Sequence, residues 1–235
     1  MVTAGIYMIA RSNVMFTVAP VTQTVITIVG LATAILAATI ALKQNDIKKV
    51  LAYSTVSQLG FMFLALGTGN YVAAVFHVLT HAFFKAMLFM GAGGVIIALH
   101  HEQNIFNIAK HRAILPIISA TFLIGVIAIS GIPPFSGFFS KDAILAAAFQ
   151  EGHYLIYGIA LFTAFLTAFY MFRLYFVVFV TPNHHKKEYV YTSKTITFPL
   201  VVLAVGAVTA GFLNLPSIFG GTHMVDTWLG SLNSK

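Results

Sequence analysis

The sequence has no cysteine and very few charged side chains. Only 8% of its 235 residues are Asp, Glu, Lys or Arg, whereas soluble domains carry roughly 25%. The missing cysteine excludes disulfides, thiolate metal sites and cysteine-ligated iron–sulfur clusters. Because 59% of the residues are hydrophobic, so little charge could not keep the apolar surface out of water. The composition therefore predicts a protein whose solvent is lipid.

Nucleotide-binding motifs are also missing. Gly91-Ala92-Gly93-Gly94 lacks the third glycine of a dinucleotide fingerprint at the required offset, and its small residues are typical of a close helix contact. The sequence contains no P-loop. We therefore expect no bound cofactor and no redox chemistry in this chain.

Seven apolar runs account for most of the chain. A spanning helix needs about 20 mostly apolar residues. The first run, at residues 2–10, is too short; it is interpreted as the tail of a helix whose beginning is missing, with no cleavable signal peptide. The others cover residues 18–42, 50–66, 71–99, 113–149, 154–180 and 196–215.

These runs predict an all-α fold. We expect a polytopic transmembrane helix bundle with about six full crossings and one partial crossing. The transmembrane domain is expected over residues 1–215, and residues 216–235 are expected to form an amphiphilic stretch at the membrane interface.

The fifth run is interrupted at Pro133-Pro134 and resumes at Gly137. Tandem prolines remove two backbone donors and clash with the preceding turn. Such breaks are tolerated in a membrane where protein or a water-filled cavity surrounds them, and they mark transport sites in many carriers. Lys141 and Asp142 follow the break. A buried Lys141 is predicted; the alternative is an ordinary loop with this lysine at the surface.

Basic residues indicate the orientation of the chain, because the links between runs that carry them fall mainly on one side of the membrane. Counting the interrupted run as one crossing, the other side receives only Arg11, Glu151, Asp226 and the terminal lysine. The basic side is predicted to be cytoplasmic. It carries Lys43, Lys48, Lys49, Lys110, Arg112, Lys186, Lys187 and Lys194. The net charge of +7 is thus explained by orientation, and no nucleic-acid partner is expected.

The fourth run holds the strongest functional pattern. His77, His81 and Lys85 are spaced i, i+4, i+8, so on a helix they lie on one face, about one turn apart. Charge inside a bilayer is unfavourable, and ionisable groups there indicate function by default. Groups that can hold and release a proton are what a relay requires. The alternative is a helix–helix contact in which the histidines donate hydrogen bonds.

Three further groups of polar residues have weaker interpretations. Asp46 suits the first turn of the third run, where the helix dipole favours an anion, and Lys48 beside it is typical of a snorkelling anchor. Arg173 is also predicted to be an interfacial anchor. The cluster of His100, His101, Glu102 and His111 matches no tight zinc spacing, so no metal site is predicted.

Several blocks resemble a known family. Residues 46–62, His77 to Lys85, residues 100–106 and Gly137 to Asp142 are similar to signatures of the antiporter-like membrane subunits of respiratory complex I, the NADH:quinone oxidoreductase. The combination most resembles the distal, chain L type. The resemblance covers nearly the whole chain and is weakest after residue 182. Members of this family are much longer, so the chain is expected to be a fragment covering the second half of such a subunit.

The resemblance implies a proton-translocating subunit in the bacterial cytoplasmic (inner) membrane. It implies that Lys48 connects to a preceding half-channel, that His77, His81 and Lys85 form the central relay, and that Lys141, with Asp142 beside it, leads to the exit. Partners would be the other complex I membrane subunits, lipid and protons. NADH, FMN, Fe–S clusters and quinone are expected in other subunits. Two rivals stay open: a subunit of a multi-subunit Na+/H+ antiporter and a non-conducting membrane scaffold.

Overall fold

The computed structural model describes residues 3–111, 113–180, 188–189, 193–215, 221 and 224–229. Over these residues the chain is almost entirely helical, as the composition predicts. The helices are α1 Ala4–Arg11, α2 Asn13–Thr17, α3 Pro20–Lys43, α4 Ile47–Gly67, α5 Tyr71–Ala98, α6 Ile105–His111, α7 Pro116–Ser130, α8 Ser136–Gln150, α9 Tyr154–Tyr175, α10 Lys194–Thr209 and α11 Met224–Trp228.

Short irregular elements extend two of these helices. A π-helical turn, Phe176–Val180, prolongs α9, and a 3₁₀ turn, Ala210–Asn214, prolongs α10. Two strands of two residues each, β1 Ala113–Ile114 and β2 Glu188–Tyr189, pair in parallel. Most of residues 216–235 lie outside the described residues, so the interfacial assignment of that stretch stays a prediction.

Among the described residues, five helices are long and apolar enough to cross a membrane. They span residues 20–43, 47–67, 71–98, 154–180 and 194–214, the last two including the turns that prolong α9 and α10. Helices α7 and α8 have 15 residues each, which is short for a crossing of about 20 residues. Together they form the interrupted segment that the sequence predicts, so the all-α bundle with a broken helix is confirmed.

The break between α7 and α8 follows from its glycines and prolines. Helix α7 ends at Gly131, whose φ of 76° is left-handed and suits glycine. Pro133 and Pro134 cannot continue the helix because they lack N–H groups. At the start of α8, a Cβ atom on Gly137 would overlap the carbonyl oxygen of Ala128. Gly137 therefore lets the two half-helices approach closely.

Helix boundaries elsewhere are set by capping side chains. The Asp46 carboxylate accepts hydrogen bonds from the backbone N–H groups of Lys48 at 2.8 Å and Lys49 at 3.2 Å, which caps α4. The Asn70 side chain accepts from Ala73 N at 2.9 Å and caps α5. The expected place of Asp46 at the start of this helix is thus confirmed.

Helices α3 and α4 form the most extensive helix pair in the bundle. They cross at Gly30 and Gly60, where backbone meets backbone: a Cβ on Gly60 would lie 2.5 Å from Ala34 N and 2.6 Å from Gly30 O. Small residues allow such close approach between membrane helices. Helix α5 packs against α4 and also against α7, α8 and α10. It is therefore the central helix around which the polar residues gather.

Two links on the predicted cytoplasmic side pair with each other. Ile47 N donates to Gln103 O at 3.0 Å, and Ile105 N donates to Asn45 O at 2.9 Å. This contact joins the start of α4 to the start of α6. Arg173 of α9 reinforces it, as its guanidinium donates to Leu42 O at 2.9 Å, Gln44 O at 3.0 Å and the Asn45 side chain at 3.0 Å. Arg173 thus lies near the predicted cytoplasmic end of the bundle, and its guanidinium also caps the C-terminal end of α3.

Candidate functional site

The predicted stripe on α5 is buried. His77 is 0% exposed, His81 6% and Lys85 5%, so three titratable side chains lie inside the bundle on one helix face. Each meets different neighbours. The helical spacing therefore predicts their common face, whereas the partners come from α4 and α8.

His77 is held at both ring nitrogens. Its Nδ1 lies 2.8 Å from Ser140 Oγ on α8, and its Nε2 lies 3.2 Å from Gln58 Oε1 on α4. The Thr80 hydroxyl, one turn further along α5, donates to Ser140 Oγ at 3.0 Å. This histidine therefore joins three helices, as the alternative of a helix–helix contact requires.

His81 lies between the other two groups and is held less firmly. Its ring is 6.3 Å from the His77 ring, centroid to centroid, and 5.4 Å from the ring of Phe84. Its Nε2 is buried without a hydrogen-bond partner among the described residues. A buried nitrogen without a partner is rare in proteins. It is suited to exchange a proton with a mobile group.

Lys85 is bound by neutral oxygens of α4. Its ammonium donates to the Ser54 hydroxyl and, at 3.1 Å, to Leu51 O. The Ser54 hydroxyl itself donates to Leu51 O at 2.8 Å. The amine also lies 5.9 Å from the centroid of the Phe89 ring, within reach of a cation–π contact.

Lys141 is a residue of α8, and its side chain reaches back to the helix break. It is 3% exposed, so the predicted burial is confirmed and the surface-loop alternative is wrong. Its amine donates to Ile129 O in the last turn of α7 at 2.6 Å. In a continuous helix that carbonyl would bond the N–H of residue 133, which is a proline and has none. The break therefore supplies the oxygen that binds the lysine, at the negative end of a helix dipole.

A cleft opens beside Lys141. It has a volume of about 670 Å³ and lies between the break, α8 and α9, with Lys141, Asp142 and Tyr157 among its lining residues. Asp142 is exposed, in contrast to its neighbour. Adjacent residues on a helix point about 100° apart, which explains why one side chain is buried and the other lies at the mouth of the cleft.

Neither buried lysine has a carboxylate partner within the part of the chain that the structure describes. Lys141 lies 5.3 Å from the centroid of the Phe61 ring. Their surroundings are hydroxyls, backbone carbonyls and aromatic rings. Such partners tolerate both the charged and the neutral amine.

The remaining predicted residues lie apart from this cluster. Lys48 is exposed at the start of α4, so its connecting role stays a prediction. In the cluster tested for metal, Glu102 accepts from Gln103 N and Asn104 N, each at 2.9 Å, and organises the link before α6. No group of metal-binding side chains occurs among the described residues.

Three polar residues of the site were not predicted: Ser54, Gln58 and Ser140. Ser54 and Gln58 are spaced i, i+4 in a spanning helix. This spacing was a usable signal, because polar side chains in membrane helices hydrogen-bond to neighbouring helices. Ser140 had no such signal apart from its place beside Lys141.

A family model described as NADH:quinone oxidoreductase/Mrp antiporter, transmembrane, matches residues 1–167. This match covers α1 to α8 and most of α9, including every buried titratable group described above. The chain belongs to this family. It is accordingly an integral membrane protein.

Two bacterial relatives are similar over nearly the whole chain. NADH-quinone oxidoreductase subunit L of Rhodobacter capsulatus is 46% identical over 235 aligned residues, covering 94% of this chain and 33% of the relative. Subunit L of Escherichia coli strain K12 is 46% identical over 225, covering 94% and 36%. The chain thus spans about a third of the length of these relatives. The similarity to these two bacterial membrane subunits is consistent with a location in the bacterial inner membrane.

Solved structures share the fold. A chain of the archaeal membrane-bound sulfane sulfur reductase superposes with a TM-score of 0.77 at 30% identity, covering 90% of this chain and 42% of that one. A chain of the Mrp complex from Dietzia sp. DQ12-45-1b gives 0.80 at 20% identity, covering 97% and 53%. The second likeness concerns the fold alone.

Proposed function

We propose that this chain is the proton-conducting segment of a chain L-type subunit of NADH:quinone oxidoreductase. Protons would move through the buried Lys and His side chains, driven by quinone reduction elsewhere in the complex. The observation that carries the proposal is the set of buried titratable groups on α5 and at the break, His77, His81, Lys85 and Lys141, held by neutral partners.

Each group has a proposed role. Lys85 is the central carrier, and His77 and His81 pass protons along with bridging water. Lys141 delivers protons to the exit path, for which the cleft lined by Asp142 is a suitable opening. Lys48 would connect to another half-channel of the complete subunit.

Cofactors and partners follow from the same proposal. Electron transfer from NADH through FMN and Fe–S clusters to quinone would take place in other subunits. The partners of this segment would be the rest of its own subunit, neighbouring membrane subunits of the complex, lipid and protons. No nucleic acid is involved.

A second candidate is a subunit of a multi-subunit Na+/H+ antiporter. The family model includes both kinds of protein, and the fold of the Mrp complex chain is similar. The 46% identity to subunit L in two bacteria favours the oxidoreductase. If the chain were an antiporter subunit, a sodium gradient would drive proton movement without NADH.

The decisive experiment is NADH-driven proton pumping in inverted membrane vesicles that contain the complete subunit in its complex. Lys85→Met removes the amine and keeps an apolar side chain of similar length. We expect pumping to fall by about a hundredfold or more, since a positioned proton-transfer group contributes a factor of roughly 10² to 10⁴. Quinone reduction should fall with it because the two processes are coupled.

The matched control is Lys194→Met, which removes an exposed lysine at the start of α10. It should pump like the parent. Unchanged pumping in Lys85→Met would refute the relay and leave the scaffold alternative, whereas sodium-driven proton movement without NADH would favour the antiporter.

A further inference from the structure

The contacts of His77 define where its proton sits. A neutral imidazole carries one N–H and one bare nitrogen, and its partners decide which is which. Both ring nitrogens of His77 have a partner: Ser140 Oγ at Nδ1 and Gln58 Oε1 at Nε2. The tautomer can therefore be deduced by assigning the hydrogens of this network.

The assignment begins at Thr80. Its hydroxyl donates to Ser140 Oγ at 3.0 Å, the shorter of its two options, the other being His77 O at 3.2 Å. Ser140 then has one hydrogen to give. The nearest acceptor is His77 Nδ1 at 2.8 Å, against 3.3 Å to Ser136 O and 3.4 Å to Gly137 O. On these distances we assign Nδ1 as the bare nitrogen and Nε2 as the nitrogen that carries the proton.

Gln58 completes the pattern. With the proton on Nε2, His77 donates to Gln58 Oε1, and the carbonyl end of this amide faces the ring. The Gln58 side chain is 0% exposed, and its Nε2 has no partner among the described residues. Turning the amide over would present an N–H to the other tautomer. The amide orientation and the histidine tautomer are therefore linked.

We propose that Gln58 and Ser140 control proton exchange at His77. This inference rests on the proposed relay. Gln58 is a positioning residue that fixes the Nε2–H tautomer. Ser140 is the proton-transferring residue: its O–H passes a proton to Nδ1, which makes His77 an imidazolium, and its oxygen takes the incoming proton from a bridging water of the proposed relay, so no charge remains on the serine.

The arrangement confines the exchange to one ring nitrogen. A side-chain amide holds its hydrogens and serves as a poor proton carrier, whereas a hydroxyl both donates and accepts. His77 therefore exchanges protons at Nδ1, on the side of Ser140.

A double-mutant cycle in the complete subunit within its complex tests the proposal. The single variants are His77→Met, Gln58→Met and Ser140→Ala, and the latter two are each also combined with His77→Met. We expect Gln58→Met to slow NADH-driven pumping about fivefold, the factor that one neutral hydrogen bond is worth. Ser140→Ala should slow it at least as much, and Ser140→Thr, which keeps the hydroxyl, should recover part of the rate.

The double variants distinguish an action through His77 from a structural effect. Because both residues act through His77, neither change should slow pumping further in the His77→Met background. Thr163→Val is the control: it removes an equally buried hydroxyl whose hydrogen bond among the described residues is to its own helix, at Ile159 O, and it should pump like the parent. Oxidation of NADH by a soluble electron acceptor, together with the amount of assembled complex, corrects each rate for folding.

Two outcomes overturn the inference alone. In the first, His77→Met slows pumping but Gln58→Met and Ser140→Ala do not. In the second, their losses add to that of His77→Met, which would mean that they act on the structure and not through the histidine. Normal pumping by His77→Met would instead refute the role of this histidine in the proposed function.

Discussion

Replacing Gly60 by alanine probes the contact that positions the site. A Cβ at this residue would lie 2.5 Å from Ala34 N, 2.6 Å from Gly30 O and 2.7 Å from Ala34 Cα. Nonbonded carbon atoms need about 3.5 Å. All three neighbours are backbone atoms, which cannot rotate away. Helices α3 and α4 would therefore have to separate by about 1 Å.

The expected penalty is that of overpacking, about 1 to 3 kcal/mol. In a domain of 150 to 250 residues, 1 kcal/mol lowers the melting temperature by roughly 2 to 4 °C. The subunit L relatives are about three times as long as this chain, and the shift falls in proportion to length, so we expect a decrease of roughly 1 to 4 °C in the complete subunit. The function should suffer too, since α4 carries both Ser54, which binds Lys85, and Gln58, which binds His77. Pumping per assembled complex should therefore decrease.

The complete subunit is heated in detergent solution, and the fraction that stays soluble is measured as a function of temperature. Pumping is measured separately in vesicles. Gly158→Ala is the matched control, because a Cβ at this exposed helix position meets nothing within 4 Å. Alanine there should stabilise the helix by about 0.5 to 1 kcal/mol. If Gly60→Ala melts at or above the temperature of Gly158→Ala, close packing of α3 on α4 is not what holds this helix in place.

Two other changes test the predicted cytoplasmic end of the bundle. Asp46→Ala removes the cap of α4 and should destabilise the subunit by about 1 kcal/mol. Asp46→Asn keeps an oxygen that accepts a hydrogen bond, so its melting temperature should be close to that of the parent. Equal melting temperatures of the two variants would contradict the capping role. Arg173→Lys replaces two donor nitrogens by one, which cannot take the positions of both Nη1, bonded to Leu42 O and Gln44 O, and Nη2, bonded to the Asn45 side chain. It should lower the free energy of unfolding by about 1 to 3 kcal/mol in the same melting assay. An unchanged melting temperature would show that the hydrogen bonds of Arg173 to the end of α3 do not contribute to stability.

The sequence predicts the helices and the break well because both are set locally. Apolar length defines the spans, and Pro133-Pro134 interrupts the fifth run without any tertiary information. The common face of His77, His81 and Lys85 also follows from helical spacing alone. For the same reason, the capping position of Asp46 could be expected at the start of its helix.

The partners of these groups depend on how the helices pack, which spacing does not encode. Nothing local indicates that Ser54 meets Lys85, or that Ser140 reaches His77 across 63 residues of chain. Similarly, Arg173 is predicted from the sequence to be an interfacial anchor, but its specific role is to bind the end of α3 on a distant segment. Lys48 and Asp142 depend on more than this chain, and their roles stay predictions.

The neutral surroundings of the buried lysines bear directly on how a relay could work. A carboxylate partner would stabilise the charged amine and be left as an unpaired buried charge whenever the proton moved on. Lys85 rests instead on Ser54 and Leu51 O, and Lys141 on Ile129 O. When such an amine releases its proton, no counter-charge is stranded, and the neutral amine keeps an N–H for the same oxygen. A transfer between the two lysines therefore moves one charge and leaves the rest of the site intact, which is the property that repeated turnover requires.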